Sequence, residues 1–341
     1  MLKIAVSITA ISATVFAGQS GPWDNDLEAT LYVNSPTDID GNGATDVADL
    51  LELINQWGTC IDCSVDFNDD GSVNVSDLLQ VIDAWGENVV LQLPDITVSN
   101  AGVPCIARGP IGELIQMFQW FPNGDVSIHF IARRTSFDEG TTWGEIQAIQ
   151  WANDNFAHST PVDPSLTVLD DGTYRLYFTS HLIDDDKFPA TFSATSTDGL
   201  LFTWEEGKRM QSETSGILDP SVIYFNGEYH YFAPRPGISH GAIYATSTDG
   251  ITFTQQTDVT VKGYTDTKFL GNPSIVNEEL QFFGTLEPTD GEWGGVFIAT
   301  SSDAVNWEVT MTNYGEIADP AGIMTEDGIL MYVTALYQQA P

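Results

Sequence analysis

From about residue 100 onward, short runs alternate apolar and polar residues. YRLYFTS at Tyr174, YHYFAP at Tyr229 and VFIATS at Val296 are the clearest. A period of two places successive side chains on opposite faces, so these runs predict half-buried strands. Turn formers such as Asp170-Asp171-Gly172 and Asn226-Gly227 stand just ahead of the first two. Before residue 90 the pattern changes to helical spacing. Leu50, Leu51, Leu53, Ile54 and Trp57 form one stripe, and Leu78, Leu79, Val81, Ile82 and Trp85 form another. At the start, Lys3 precedes an apolar run from Ile4 to Ala17. A positive charge before an apolar stretch with small residues at its end predicts an export signal, cut after Ala17. No other stretch approaches a membrane span.

The strand-like region repeats itself. VDPSLTVLDDGTYRLYFTS, LDPSVIYFNGEYHYFAP, GNPSIVNEELQFFGTL and ADPAGIMTEDGILMYVTAL align, with a fainter copy, RGPIGELIQMFQWFPNGDVSIHFIA, at Arg108. Their prolines at 110, 164, 220, 273 and 320 are spaced by 54, 56, 53 and 47 residues, a period that predicts propeller blades. A second phrase recurs as SFDEGTTW at Ser136, STDGLLF at Ser196, STDGITF at Ser247 and SSDAVNW at Ser301. It resembles the Asp-box of sialidase-like propellers, in which the Ser and Asp side chains bind local amides and the aromatic residue plugs the blade. The expected fold is mainly β: a five-bladed propeller with a small α-helical module ahead of it. Residues 89–103 are expected to complete the last blade and close the ring.

With the inner strand starting at each proline, the Asp-Gly and Ser-x-Asp turns share one face. The other face then carries a ring of Arg108, Asp163, Asp219, Asn272 and Asp319. Loops around it bring His181, Asp184 to Asp186, Arg235, His240, Glu287, Asp290, Glu292 and Trp293, with Trp151, His158, Tyr264 and Glu316 on the approaches. Converging carboxylates with aromatic neighbours suit glycosidic hydrolysis, which needs an acid for the leaving oxygen and a base or nucleophile. This part of the chain resembles five-bladed glycosidases such as arabinanases and β-xylosidases. The resemblance implies that Asp163 and Asp219 serve as base and as modulator of the acid. That family's acid is a Glu opening an inner strand; no repeat has Glu there, and Glu287 is the candidate substitute. Arg108, Asn272, Asp319, His158, His181, Arg235, His240 and Trp293 are expected to bind substrate. The alternatives are a non-catalytic propeller that binds carbohydrate or protein, and a sialidase-like enzyme, which would need three Arg residues at the mouth.

Two loops repeat 28 residues apart. Asp38, Asp40, Asn42, Gly43, Asp46 and Asp49 occupy positions 1, 3, 5, 6, 9 and 12 of the first, and Asp66, Asn68, Asp70, Gly71, Asn74 and Asp77 those of the second. Alternate oxygen ligands with Gly at position 6 suit Ca²⁺, and the carbonyls of Ala44 and Ser72 would complete each site. Each loop precedes one helix, with Asp at position 12. That combination resembles the dockerin family over residues 36–88, which implies two bound Ca²⁺ ions and a cohesin-like partner. Loop positions 10 and 11 are Val47, Ala48, Val75 and Ser76, where many dockerins carry hydroxyls. The expected division is thus a signal over 1–17, a linker over 18–35, the calcium module over 36–88 and the propeller over 89–341.

Charge supports the division. Of 341 residues, 48 are acidic and 11 basic, a formal net charge of −37. Such a surface repels nucleic acid and anionic lipid. Residues 1–90 hold 15 of the acids against Lys3 alone. Cys60 and Cys63 stand close enough to close a local loop, and Cys105 is left over. Two thiolates give half a zinc site, and no His pair supplies the rest. The overall reading is a secreted, calcium-binding glycoside hydrolase acting on extracellular polysaccharide.

Overall fold

The computed structural model describes residues 25–335 apart from 34–36, 40–44, 61–62, 69, 86–88, 154–157, 184–186, 239, 277, 288–293, 314 and 316, and only the backbone of 89–91. The export signal therefore lies outside the described residues, as do Asp40, Asn42, Ala44, Asp184 to Asp186, Asp290, Glu292, Trp293 and Glu316.

Five antiparallel sheets form the propeller. Blade 1 is Ala101–Arg108, Leu114–Trp120, Phe130–Ser136 and Gln147–Ala148, and blade 2 is Val162–Val168, Tyr174–Ser180, Ala190–Ser196 and Leu201–Trp204. Gln150–Trp151 joins blade 2 as a parallel outer strand. Blade 3 is Ser221–Phe225, Glu228–Pro234, Ala242–Ser247 and Thr254–Gln255; blade 4 is Thr267–Val276, Glu279–Leu286, Val296–Ser301 and Glu308–Asn313. Blade 5 takes its inner strands Ile317–Thr325 and Gly328–Ala335 from the end of the chain and its outer strands, Asp26–Val33 and Val89–Gln92, from the beginning.

That closure differs from the expected one. Asp26–Val33, assigned to a linker, is a full strand paired residue by residue with Gly328–Ala335. Within 89–103, Val89–Gln92 is the outer strand of blade 5 and Leu93 and Val98 also bond to its third strand, whereas Ala101 already starts the inner strand of blade 1. The segment with the two repeated loops is thus an insertion between the last two strands of the closing blade.

Apolar clusters fill each gap between blades. Phe225, Phe232, Phe269, Phe282, Phe297 and Trp307 join blades 3 and 4, and Leu176, Phe178, Phe192 and Phe202 pack with Ile115 and Met117 between blades 1 and 2. Each buried aromatic or aliphatic side chain contributes about 1.5–3 kcal/mol relative to exposure. The four Ser-x-Asp turns sit on one face and bond as the sequence predicts. The Oγ atoms of Ser136, Ser196, Ser247 and Ser301 donate to Oδ1 of Asp138, Asp198, Asp249 and Asp303 at 2.8–3.1 Å, and those carboxylates accept following amides. Amide donors hold the Asp249 and Asp303 carboxyls down to about 2. Trp143 and Trp307 each donate their indole N–H to a carbonyl of their own turn.

In the inserted module, helices Val47–Asn55 and Val75–Asp83 are capped by Asp46 and Asn74, with Asp49 and Asp77 completing the capping boxes. Leu53, Val65, Val73 and Val81 form its own buried core, and Cys60 is disulfide-bonded to Cys63. The apolar stripes split between two surfaces. Leu53 and Val81 are buried, whereas Val47, Leu51, Ile54 and Trp57, with their counterparts Val75, Leu79, Ile82 and Trp85, are exposed.

Candidate active site

The five inner strands place equivalent residues around the axis. Val103-Pro104, Asp163-Pro164, Asp219-Pro220, Asn272 with Gly271 and Leu270, and Asp319 line one small cavity. Each ring position is a kink. Val103, Asp163, Asp219 and Asp319 have φ between 50° and 55°, and blade 4 uses Gly271 at 146°. In blades 1, 2, 4 and 5 the pairing to the second strand shifts register there. A bulge in the left-handed region costs backbone energy in a non-glycine residue, and such bulges commonly re-aim side chains at functional sites. Here they turn three carboxyls toward the axis.

Arg108 is not in the ring. It ends the inner strand of blade 1 at the opposite face, where its guanidinium binds both oxygens of Glu139 at 2.7 and 2.8 Å and the Met324 carbonyl. The ring position of blade 1 is Val103. Counting would have found it: ten residues separate Pro104 from Leu114 and Pro164 from Tyr174, but only four separate Pro110 from Leu114.

The three carboxyls form an interacting set. Asp163 and Asp319 are almost fully buried, at 3% and 1% exposure. Oδ2 of Asp163 accepts the Asp219 amide at 3.3 Å, and the two side chains hydrogen-bond to each other. Burial, then the neighbouring charges of Asp163 and Asp319, pushes the Asp219 carboxyl well up. Burial also raises Asp163, opposed by the Thr179 hydroxyl and by Asp219. Asp319 is pushed up to about 7, mainly by desolvation. Its Oδ2 accepts from Thr334 Oγ1 at 3.1 Å, while Oδ1 is buried with no hydrogen-bond partner among the described residues. Asn272 Nδ2 donates to the Pro104 carbonyl at 2.9 Å, tying blade 4 to blade 1 across the axis.

Two sets of residues were missed in the sequence. Thr285 and Thr334 lie in one column of the repeat and tie each blade to the next: Thr285 Oγ1 accepts the Asp319 amide, and Thr334 Oγ1 accepts the Val103 amide. Lys268 is a cation near the acids; its charge opposes the raised pKa of both Asp219 and Asp319. It also pairs with Glu287 Oε1 at 3.7 Å. Glu287 follows the second strand of blade 4, and its Oε2 is buried without a hydrogen-bond partner among the described residues.

The other expected substrate contacts are dispersed. His158 packs its ring on Phe192 and Trp204 at 4.9 and 4.6 Å, in the outer half of blade 2 with Trp151. The His181 amide donates to Ser159 Oγ at 3.1 Å, and the guanidinium of Arg235 pairs with Asp258 at 3.1 Å. His240 is half-buried beside the third strand of blade 3.

The module's loops carry the expected donor chemistry. In the second loop Asp66 accepts the amides of Asp70 and Gly71, Asn74 Nδ2 donates to Asp70 and the Ser72 carbonyl, and Asn74 Oδ1 accepts the Ser76 amide as the helix cap. The buried Asp77 accepts the amides of Phe67 and Asn74, and Asp49 accepts those of Ile39 and Asp46 in the same way. In the first loop Asp38, Asp46 and Asp49 are the described ligand candidates. Among the described residues no three His, Cys, Asp or Glu side chains meet at a metal-sized point. The all-oxygen set of Asp, Asn and main chain nevertheless fits a hard dication rather than a softer metal.

Comparison with known proteins bears on the fold. An endo-arabinase from Bacteroides thetaiotaomicron superposes with a TM-score of 0.52 at 17% identity, over 70% of this chain and 95% of that one. An α-L-arabinofuranosidase from Lactobacillus brevis gives 0.51 at 13% identity, over 71% and 86%. An N-acetylgalactosamine deacetylase from F. plautii, in complex with blood group B trisaccharide, gives 0.50 at 12%, over 70% and 80%. At these identities the likeness is one of fold. No curated protein matches. The model of the BNR repeat-like domain matches residues 64–268. Since that match spans more than half of its length, this chain belongs to the BNR repeat-like domain family.

Proposed function

We propose that the protein is a secreted glycoside hydrolase of extracellular polysaccharide. The observation that carries this reading is the hydrogen-bonded Asp163–Asp219 pair facing the axial cavity. Burying coupled carboxyls costs stability, and a fold without use for them would replace them with apolar groups. Asp163, the acceptor, would act as the base, with Asp219 as its proton-holding partner. Glu287, whose Oε2 has no hydrogen-bond partner among the described residues, would protonate the leaving oxygen. Two of the similar folds are named as enzymes of arabinan-type substrates, which makes plant-type or algal polysaccharides the first to test. The deacetylase is a reminder that this architecture hosts other chemistry, so the reading rests on the carboxyls rather than on the fold. A hydrolysis assay across a glycan panel, with Asp163→Asn, Asp219→Asn and Glu287→Gln, tests it. Loss of about 100-fold or more in the first two variants is expected. Activity unchanged in both would remove the assignment, and inactivity of the unsubstituted chain on every glycan would favour a binding propeller.

One observation favours that second reading. Asp163 Oδ2 and Asp319 Oδ2 also accept bonds from a neighbouring inner strand and from Thr334, so part of each carboxyl stitches the ring. The sialidase-like alternative loses Arg108 to the opposite face.

The inserted module would hold two Ca²⁺ ions: Asp38, Asp40, Asn42, Ala44, Asp46 and Asp49 in one loop, and Asp66, Asn68, Asp70, Ser72, Asn74 and Asp77 in the other. When bound, the ions would neutralise the crowded carboxylates. Its matched exposed residues, Leu51 with Leu79 and Ile54 with Ile82, would face a cohesin-like partner. Calorimetric titration with Ca²⁺ checks the first claim. Pull-down by a cohesin module, lost in Leu51→Asp with Leu79→Asp, checks the second.

A further inference from the structure

The module is not appended to the propeller. Its chain leaves the third strand of blade 5 at Val33 and returns in the fourth at Val89, and those two residues are paired, as are Tyr32 with Val90, Leu31 with Leu91 and Thr30 with Gln92. Val89–Gln92 is the outermost strand, with Asp26–Val33 as its one neighbour in the sheet. Just beyond it the Leu93 amide donates to the Ala29 carbonyl at 3.0 Å. The third strand is the element that closes the ring against the C-terminal strand. Everything that keeps residues 33 and 89 together therefore acts on the seam of the propeller.

Two features couple the module's folding to that seam. The module has a core of its own, Leu53, Val65, Val73 and Val81, and the short pairing of Gly58-Thr59 with Ser72-Val73 joins its halves. Folded, it is a compact link between adjacent strands. Unfolded, it becomes a flexible loop of about 55 residues, and closing such a loop is less favourable by roughly n to the power 3/2, on the order of several hundred-fold. The Leu93–Ala29 and Leu27–Val98 bonds anchor the far end of these four edge pairs, so the end at Val33 and Val89, beside the module, is the one free to open.

We propose that the calcium-loop module is a clasp on the ring-closing blade, so that loading its loops tightens the Val89–Gln92 seam and unloading loosens it. The inference rests on the calcium reading for its trigger but not for its architecture. Hydrogen exchange on the full chain tests both. In Ca²⁺ the amides of Thr30–Val33 and, in the edge strand, the inward-facing amides of Val89 and Leu91 should be protected. With chelator, exchange at Val89 and Leu91 should rise on the order of 100-fold together with the helices Val47–Asn55 and Val75–Asp83. Blade 3, Ser221–Pro234, should stay unchanged and report an intact propeller. Helices that lose protection while Val89 and Leu91 keep it would overturn the clasp.

Helices indifferent to chelator would overturn the calcium trigger alone. The clasp is then tested by Leu53→Asp with Val81→Asp, which unfolds the module directly; exchange at Val89 and Leu91 should rise by the same factor. A chain in which residues 34–88 are replaced by a two-residue Asn-Gly turn should keep the seam closed with or without chelator. If that chain still loosens with chelator, or if the double variant leaves the seam as protected as before, the proposal fails.

Discussion

The backbone amide of Asp219 points at Oδ2 of Asp163 across 3.3 Å, so consecutive blades are joined through the same two residues whose side chains hydrogen-bond to each other. The amide donor favours the Asp163 carboxylate, whereas burial and the charges of Asp163 and Asp319 push Asp219 well up. In Asp163→Asn both the neighbouring charge and the carboxylate acceptor disappear. The Asp219 carboxyl should therefore titrate at lower pH than in the parent, as read by carbon NMR of labelled aspartate. An unchanged or higher value would mean that the two side chains do not hydrogen-bond to each other.

Arg108 tests the assignment of faces. Its bidentate pair with Glu139 lies among the Ser-x-Asp turns, and its side chain is 41% exposed. Arg108→Ala should cost at most about 1 kcal/mol in stability. It should leave glycan binding and any hydrolysis as in the parent, whereas a residue at the mouth would not. A selective loss of activity without loss of folding would contradict the placement.

How far this could be read in the sequence depends on what each signal encodes. The prolines and Ser-x-Asp turns are local, so blade count and turn faces were legible. Asp163, Asp219, Asn272 and Asp319 were placed on the axis because each precedes its proline directly. Blade 1 broke the rule: Val103 is apolar, and the nearby Arg108-Gly109-Pro110 offered a polar imitation. Ring closure was misplaced for a different reason. Asp26–Val33 gains its role from Gly328–Ala335, some 300 residues later in the chain, and nothing local announces that pairing. Lys268 and the threonine column depend on packing between blades, which no single repeat specifies.

Gly271 sits on the axis, where the inner strand of blade 4 runs beside that of blade 5. A Cβ there would clash with the Phe283 carbonyl oxygen and lie 2.7 Å from that of Pro320, both backbone atoms, and its φ of 146° disfavours any side chain. Neither strand can yield without breaking its ladder. Gly271→Ala should lower stability by at least about 2 kcal/mol, or prevent folding. A urea midpoint equal to the parent's would mean that the axis is looser than described.

Asp319 makes the stability of the whole propeller depend on pH. Burial is the main cause that pushes its folded carboxyl up to about 7 from an ordinary 3.8. Between those values the folded state binds a proton that the unfolded chain has released, so stability falls as pH rises. Its contribution is fully present below about pH 4 and is lost as pH climbs through about 7. At about 1.36 kcal/mol per unit, the loss amounts to about 4 kcal/mol at full burial. Asp163 and Asp219 are raised as well and add slope of the same sign. In Asp319→Asn the amide oxygen can still accept from Thr334, but the ionisation is gone. The variant should be the more stable protein at pH 8, with a shallower fall in Tm between pH 5 and 8. A Tm profile parallel to the parent's would show that Asp319 ionises without penalty, through solvent reaching Oδ1 or a compensating charge from Lys268.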